Sequence, residues 1–277
     1  MRWWRGGASD TQAPIVSAVN VSSPVNNQIT VTTTATDNIG VTGYCFKSSL
    51  ITPSANDACF KSSSSMLITF PQVSPVYVWV KDAAGNISTS NAVGCSATGL
   101  GASQASTLPT VCVLTNLGEF VLELESTKAP ITTANFLKYV NDGYYSQTVF
   151  HRVLANFMVQ GGGFTAVPIS ASNAKSGTVY PPISLETPAM TSLSNTVGTI
   201  AMARTNVFNS ATSQFFINVV DNSFLDTGGG GYAVFGRVIS GMDTTIQSIR
   251  NLPVQSNGSE VSQPLSPAVV TWAYQLK

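Results

Sequence analysis

Charge is what this chain has least of. Asp, Glu, Lys and Arg make up 9% of its 277 residues, against roughly a quarter in an ordinary globular protein. Thirteen cationic and thirteen anionic side chains cancel, so no global field draws in nucleic acid or an anionic membrane. The same neutrality weakens repulsion between copies and so permits self-association. Histidine is nearly absent: with His151 alone and no C-x-x-C among four cysteines, a zinc set cannot be completed, and no metal site is expected on that basis. No apolar run reaches the ~18 residues of a membrane helix, so no membrane span is expected. Residues 1–11 form a tail whose start, with Trp3 and Trp4, lacks the apolar stretch of a secretion signal. It is either what a removed leader left or a gene-start remnant; it reads as a disordered tail, with an anchor for another surface through its tryptophans as the alternative.

Low charge does not mean disorder here, because 43% of the residues are apolar and burial is not limiting. Ser, Thr, Asn, Ala and Gly take the place of charge, as in exported β-rich proteins with hydroxyl-coated strands. The length suits two domains. The four cysteines, Cys45, Cys59, Cys95 and Cys112, allow three pairings, of which the sequential one is simplest. Their even number in such a chain favours an oxidising compartment.

Residues 12–98 carry a strand pattern and no helical one. Residues 28–36, 41–47 and 76–81 alternate apolar or small residues with polar ones, the period of half-buried strands. Turns at Ser23-Pro24, Asp37 to Gly40, Ser74-Pro75 and Ala84 to Asn86 separate them. Asp37, Asn38, Asp57 and Asp82 are oxygen ligands able to gather a calcium ion at one end of such a unit, and Asx residues are equally the usual turn formers. Residues 99–110, rich in Ser, Gly, Ala and Thr with Pro109, read as a linker. From residue 111 the texture changes. Strands over 111–114 and 119–125 flank a turn from Thr115 to Gly118. Pro130 opens a helix with Thr132 or Thr133 near its cap, Phe136, Leu137 and Val140 on its apolar face, and Asp142-Gly143 at its end. Strands follow over 149–153, 157–161, 198–203, 213–219 and 233–238, then a helix over 242–252 and a closing strand over 268–275. Many strands with two distant helices fit an antiparallel barrel with helices over its ends, mainly β in class.

Two resemblances sharpen these readings. Residues 34–46 and 76–88 resemble bacterial immunoglobulin-like repeats, which implies a β-sandwich over 12–98 with Trp79 in its core. The run from Phe150-His151-Arg152 through Phe157-Met158-Val159-Gln160-Gly161-Gly162 resembles the signature of cyclophilin-type peptidyl-prolyl isomerases. Gly198 to Arg204, Ser213 to Asn218 and Tyr232 to Val238 follow in the family's order. The resemblance covers residues 111–277, looks nearest to bacterial exported members, and implies an eight-stranded antiparallel barrel with two capping helices. It implies rotation about X–Pro bonds in proline-containing polypeptide clients, chemistry that makes and breaks no bond and needs no cofactor.

By the same resemblance Arg152 is the catalytic arginine, and Gln160 orients it and the substrate carbonyl. Phe157, Met158, Phe215 and Leu225 form the proline pocket. Ala203 and Arg204 bind the extended peptide through their backbone, with Gln214 on the same groove. Phe224 and Tyr232 stand at the rim where many eukaryotic members carry tryptophan and histidine, so cyclosporin binding should weaken with loss of the indole donor. His151 reads as structural, since isomerisation transfers no proton. Residues 165–195 read as a long surface loop of no assigned role, and the glycine run 228–231 as a flexible loop. Two functions stand side by side. One is an exported folding catalyst in the periplasm, at the cell surface or outside the cell. The other is a structural or adhesive protein, self-associating through its first domain or tail, that uses the isomerase fold as a building block or peptide-binding module.

Overall fold

The structure is a computed structural model, and it describes residues 10–21, 28–47, 51–69, 76–89, 91–93 and 95–277. Trp3, Trp4 and the turns at Ser23-Pro24 and Ser74-Pro75 lie outside the described residues. The chain divides into two compact units, the larger of which contains Cys95–Lys277.

The smaller unit holds six strands: β1 (Ile15–Val21), β2 (Gln28–Thr36), β3 (Val41–Lys47), β4 (Ser65–Thr69), β5 (Val76–Asp82) and β6 (Asn91–Val93). They form two three-stranded sheets, ordered β1-β2-β4 and β3-β5-β6. Alternation in β2 follows from burial of one face, with Val31 and Thr33 inside. Strand β5 departs from the half-buried alternation expected over 76–81: it is buried on both faces from Val76 to Val80, including Trp79, as its run of apolar residues requires. Cys45 on β3 is joined to Cys59. Asp57 accepts from Lys47 and from the Cys59 N–H, which separates its role from that of Asp37 and Asp82.

The larger unit begins with a correction. The segment expected to be a linker is largely helical: α1 spans Ala97–Ala105, opened by Ser96, whose Oγ accepts from the Gly99 N–H. Its glycine-, alanine- and serine-rich composition has a packing reason. A Cβ on Gly99 would stand 2.8 Å from Cys95 Sγ and 2.9 Å from Glu119 Oε1, so only glycine allows the helix to lie this close. Cys95 is joined to Cys112 across 17 residues, and closing a loop of that size stabilises by about 3 kcal/mol through the unfolded chain.

Strands β7 (Thr110–Thr115) and β8 (Gly118–Leu124) form the expected hairpin. Helix α2 (Pro130–Asn141) follows, with proline in its first turn. Its cap differs from expectation. Ala129 occupies the cap position with no side-chain bond. The buried carboxylate of Glu186 instead accepts from the N–H groups of Ile131 and Thr132 and from Thr132 Oγ1, satisfying orphan donors and meeting the positive helix end. The loop 165–195 thus has a structural task.

The remaining elements are β9 (Arg152–Val153), β10 (Met158–Gly161), α3 (Pro188–Thr191), β11 (Thr199–Met202), β12 (Phe215–Asn218) and β13 (Val234–Ser240), then a π turn (Met242–Ile246) leading into α4 (Gln247–Arg250), and β14 (Val254–Ser256), β15 (Val261–Pro264) and β16 (Val270–Gln275). Eight of the strands make one antiparallel sheet, ordered β16-β7-β8-β13-β11-β12-β10-β9. It curls on itself without a full ladder between β9 and β16. The seam is drawn together by the Phe150 N–H to Ala268 O and the Val270 N–H to Thr148 O. Inside the curl, Phe136 of α2 packs against Phe215 and Phe235 at centroid distances of 5.6 and 5.2 Å, placing the core between helix and sheet.

Candidate active site

Strand registry builds the site. Arg152 on β9 lies opposite Gln160 on β10, and Gln160 lies opposite Phe216 on β12. Phe216 in turn faces Ala201 on β11. Residues directly opposite share a sheet face, and so do residues two apart on one strand. Arg152, Gln160, Met158, Phe216 and Ala201 therefore stand together on one side. Phe215, expected in the pocket, points the other way into the core against Tyr145 and Phe150. Phe216 takes the pocket position, and the alternation measured from Gln160 and Gln214 carries that signal in the sequence.

A cavity of about 230 Å³ is lined by Arg152, Phe157, Met158, Gln160, Phe216 and Leu225, with Ala203, Arg204 and Tyr232 at its side. Its floor is apolar: Met158, Phe216 and Leu225 are 1%, 5% and 8% exposed. Phe224 lies 61% exposed at the rim and stacks on Phe157 at 5.8 Å. Tyr232 meets Phe216 edge-on. Arg204 lies over the Tyr232 ring at 4.5 Å, and its Nη2 donates to the carbonyls of Gly229 and Gly231. The glycine run expected to be flexible is thereby tied down, and its positive-φ glycines present carbonyls to the arginine. The Ala203 N–H donates to Gln214 O, so this donor serves the sheet. Asn222 and Asp226 brace the rim turn that holds Phe224 and Leu225. Asn222 Nδ2 donates to Phe157 O. Asp226 accepts from the backbone and side chain of the fully buried Asn195. Burial pushes the Asp226 carboxyl up, but the bonds from Ser194 and Asn195 outweigh it and hold it below its ordinary value.

The guanidinium of Arg152 is oriented from two sides. Nη1 faces the cavity, 3.5 Å from Gln160 Oε1 and 3.9 Å from Met158 Sδ. Gln160 Nε2 in turn donates to Gln214 Oε1 at 3.0 Å. On the far side Nε and Nη2 bind the two oxygens of Glu260, a fork-to-fork pair. Glu260 closes the turn between β14 and β15, where Asn257 Oδ1 accepts its N–H and Ser262 Oγ donates to its carboxylate. The hydrogen bonds from Arg152 hold the Glu260 carboxyl below its ordinary value. Sequence reasoning missed Glu260 because it lies 108 residues from Arg152 in a hairpin with no local marker of the site.

His151 points away from this chemistry. It is 6% exposed, packs on Phe164 at 4.9 Å, and burial, aided by the Arg152 charge, pushes its imidazole down to about 4. It is neutral at physiological pH. The arrangement as a whole offers the Arg152 guanidinium above an apolar hollow, with an amide acceptor beside it and no serine, cysteine, histidine or carboxylate in the lining.

Residues 110–272 match the family model described as cyclophilin type peptidyl-prolyl cis-trans isomerase/CLD. A peptidyl-prolyl cis-trans isomerase of Acinetobacter baylyi is 48% identical over 158 residues, 56% of this chain and 79% of the relative. Peptidyl-prolyl cis-trans isomerase A of Dickeya dadantii is 44% identical over 175 residues, 62% of this chain and 87% of its own length. Peptidyl-prolyl cis-trans isomerase B of Escherichia coli is 42% identical over 161 residues, 56% and 93% of the two chains.

Proposed function

This chain belongs to the cyclophilin-type peptidyl-prolyl cis-trans isomerases, and we propose that it lowers the X–Pro rotation barrier by holding Arg152 against the prolyl nitrogen. An X–Pro bond is partly double, with a barrier of about 18–20 kcal/mol, and turns over unaided in tens to hundreds of seconds. At the twisted transition state the prolyl nitrogen becomes pyramidal and regains its lone pair. A donor fixed beside that nitrogen stabilises the twisted form more than the planar one, and only such a difference accelerates the step. Phe157, Met158, Phe216 and Leu225 would grip the ring while the acyl side turns. Gln160 would hold the substrate carbonyl and keep the arginine in line. Glu260 is a positioning residue in this scheme, fixing two of the three guanidinium nitrogens so that Nη1 is presented to the hollow.

The observation that carries this reading is the Nη1 of Arg152 standing beside Gln160 over a buried apolar floor. Exchange NMR on a short X–Pro peptide, comparing the full chain with Arg152→Ala, tests it. The variant should stay folded and lose most of the rate enhancement. A folded Arg152→Ala protein as fast as wild type ends the arginine mechanism. Both disulfides support export to an oxidising compartment, where clients would be proline-containing exported polypeptides; fractionation of expressing cells tests that. The smaller unit, with two three-stranded sheets and buried Trp79, supports an immunoglobulin-like spacer that positions the isomerase.

A further inference from the structure

One end of the smaller unit gathers three carboxylates from separate parts of the chain: Asp10 ahead of β1, Asp37 in the turn after β2, and Asp82 at the end of β5. One oxygen from each lies within 4.8 Å of the others. Local turns account for part of this. Asp10 Oδ1 accepts from the Gln12 N–H and Asn38 Nδ2. Asp37 Oδ2 accepts from the N–H groups of Ile39 and Gly40, both at 2.9 Å. Asp82, 2% exposed, accepts from the Gly85 and Asn86 N–H groups on Oδ1 and from Asn86 Nδ2 on Oδ2.

Turn formation leaves two oxygens over. Asp10 Oδ2 and Asp37 Oδ1 are buried and have no hydrogen-bond partner. A buried carboxylate oxygen with no donor is costly, and like charges this close repel. Among the described residues no lysine or arginine forms an ion pair with any of the three. Three carboxylates thus stand together without an ion-pair partner among the described residues.

We propose that Asp10, Asp37 and Asp82 form a calcium site that ties the start of the smaller unit to its β2–β3 turn and to the end of β5. All the donor atoms are oxygens, which selects a hard cation over zinc or copper. Calcium–oxygen distances of about 2.3–2.6 Å let one ion span oxygens up to about 5 Å apart. Irregular turns with waters completing the shell suit calcium's adaptable geometry better than the strict octahedron of magnesium. Asn86 braces the site from behind, its Nδ2 donating both to Asp82 and to the Asp10 carbonyl.

The test uses the full chain stripped of divalent ions by chelation and dialysis. Calorimetric titration with calcium chloride should give one site per chain, and the thermal midpoint of the smaller unit should rise by several degrees at saturation. Magnesium chloride at the same concentration should do neither. Asp37→Asn retains the oxygen that builds the turn but removes a charge, and should weaken calcium binding at least tenfold. Should that variant not fold, Asp10→Asn, whose side chain makes fewer backbone bonds, decides the point by the same criterion. No heat and no shift with the wild-type chain overturns the site, as does equal affinity in a folded variant.

Discussion

Replacing Glu260 with alanine removes both oxygens that hold Nε and Nη2 of Arg152. The arginine keeps its charge and its neighbour Gln160, but regains rotamer freedom. The pair is partly exposed, 31% and 29% at the two side chains, so solvent screens it and its full fork geometry cannot be counted at buried strength. A discounted value of about 1 kcal/mol remains, and lost from the transition state alone it slows isomerisation roughly fivefold. The proline hollow is untouched, so the loss should fall on kcat with KM nearly constant. Glu260→Gln, which leaves one acceptor, should lie between. Exchange NMR measures the rates, and thermal unfolding confirms that each variant folds. The pH dependence has a fixed sign. Arg152 favours the ionised carboxylate, so the orienting bond is present at neutral pH and is lost as pH falls through a value below the ordinary glutamate pKa. A Glu260→Ala enzyme that is as fast as wild type, or faster, refutes the positioning role and makes the carboxylate a competitor for the arginine.

Adjacent phenylalanines should separate binding from stability. Phe216→Ala opens the floor of the cavity and should raise KM, whereas Phe215→Ala empties the core between α2 and the curled sheet and should cost about 3–5 kcal/mol of stability, as chemical denaturation would report. A single variant showing both effects equally would contradict the opposed faces of β12. For His151, the folded imidazole sits at about 4 against about 6.5 unfolded. The unfolded chain thus binds the extra proton first, and stability present above pH 6.5 falls towards pH 4, by about 3 kcal/mol in total. Denaturation midpoints across that window should lose the slope in His151→Gln, while isomerase rates in wild type stay flat between pH 6 and 8.

Much of the larger unit was legible because local chemistry and tertiary demand agree there. The Thr115 to Gly118 turn, Pro130 at a helix start and the alternating closing strand each carry their own signal. Helix α1 was not legible: its small residues look like a linker until Glu119 and Cys112 are in place beside it. The Phe215 position failed for a simpler reason. Two consecutive phenylalanines on a strand must face opposite sides, and Phe216, two positions from Gln214 and opposite Gln160, is the one that lines the cavity. Glu186 and Glu260 reach their partners across 54 and 108 residues, a distance over which no local pattern operates. In the smaller unit Asp37 and Asp82 were legible as members of an oxygen cluster, but Asp10 stood in what looked like a tail, and Asp57 had a lysine of its own.

Among the points that fasten residues 165–195, two lie only nine positions apart: Glu186 at the start of α2 and Asn195 beneath the rim turn. That spacing sets a rule for how the chain length can drift. Adding or deleting one residue between the two anchors would pull either the helix start or the pocket rim out of place. Residues 176–179 are exposed and lie between Lys175, whose Nζ donates to Ser146 O, and Tyr180, whose N–H donates to Tyr139 Oη; neither anchor is a helix cap or the pocket rim, so added length there can loop out into solvent. Related chains should therefore vary in length before Glu186 and hold it fixed after, and a peptide tag inserted at 176–179 should leave catalysis intact.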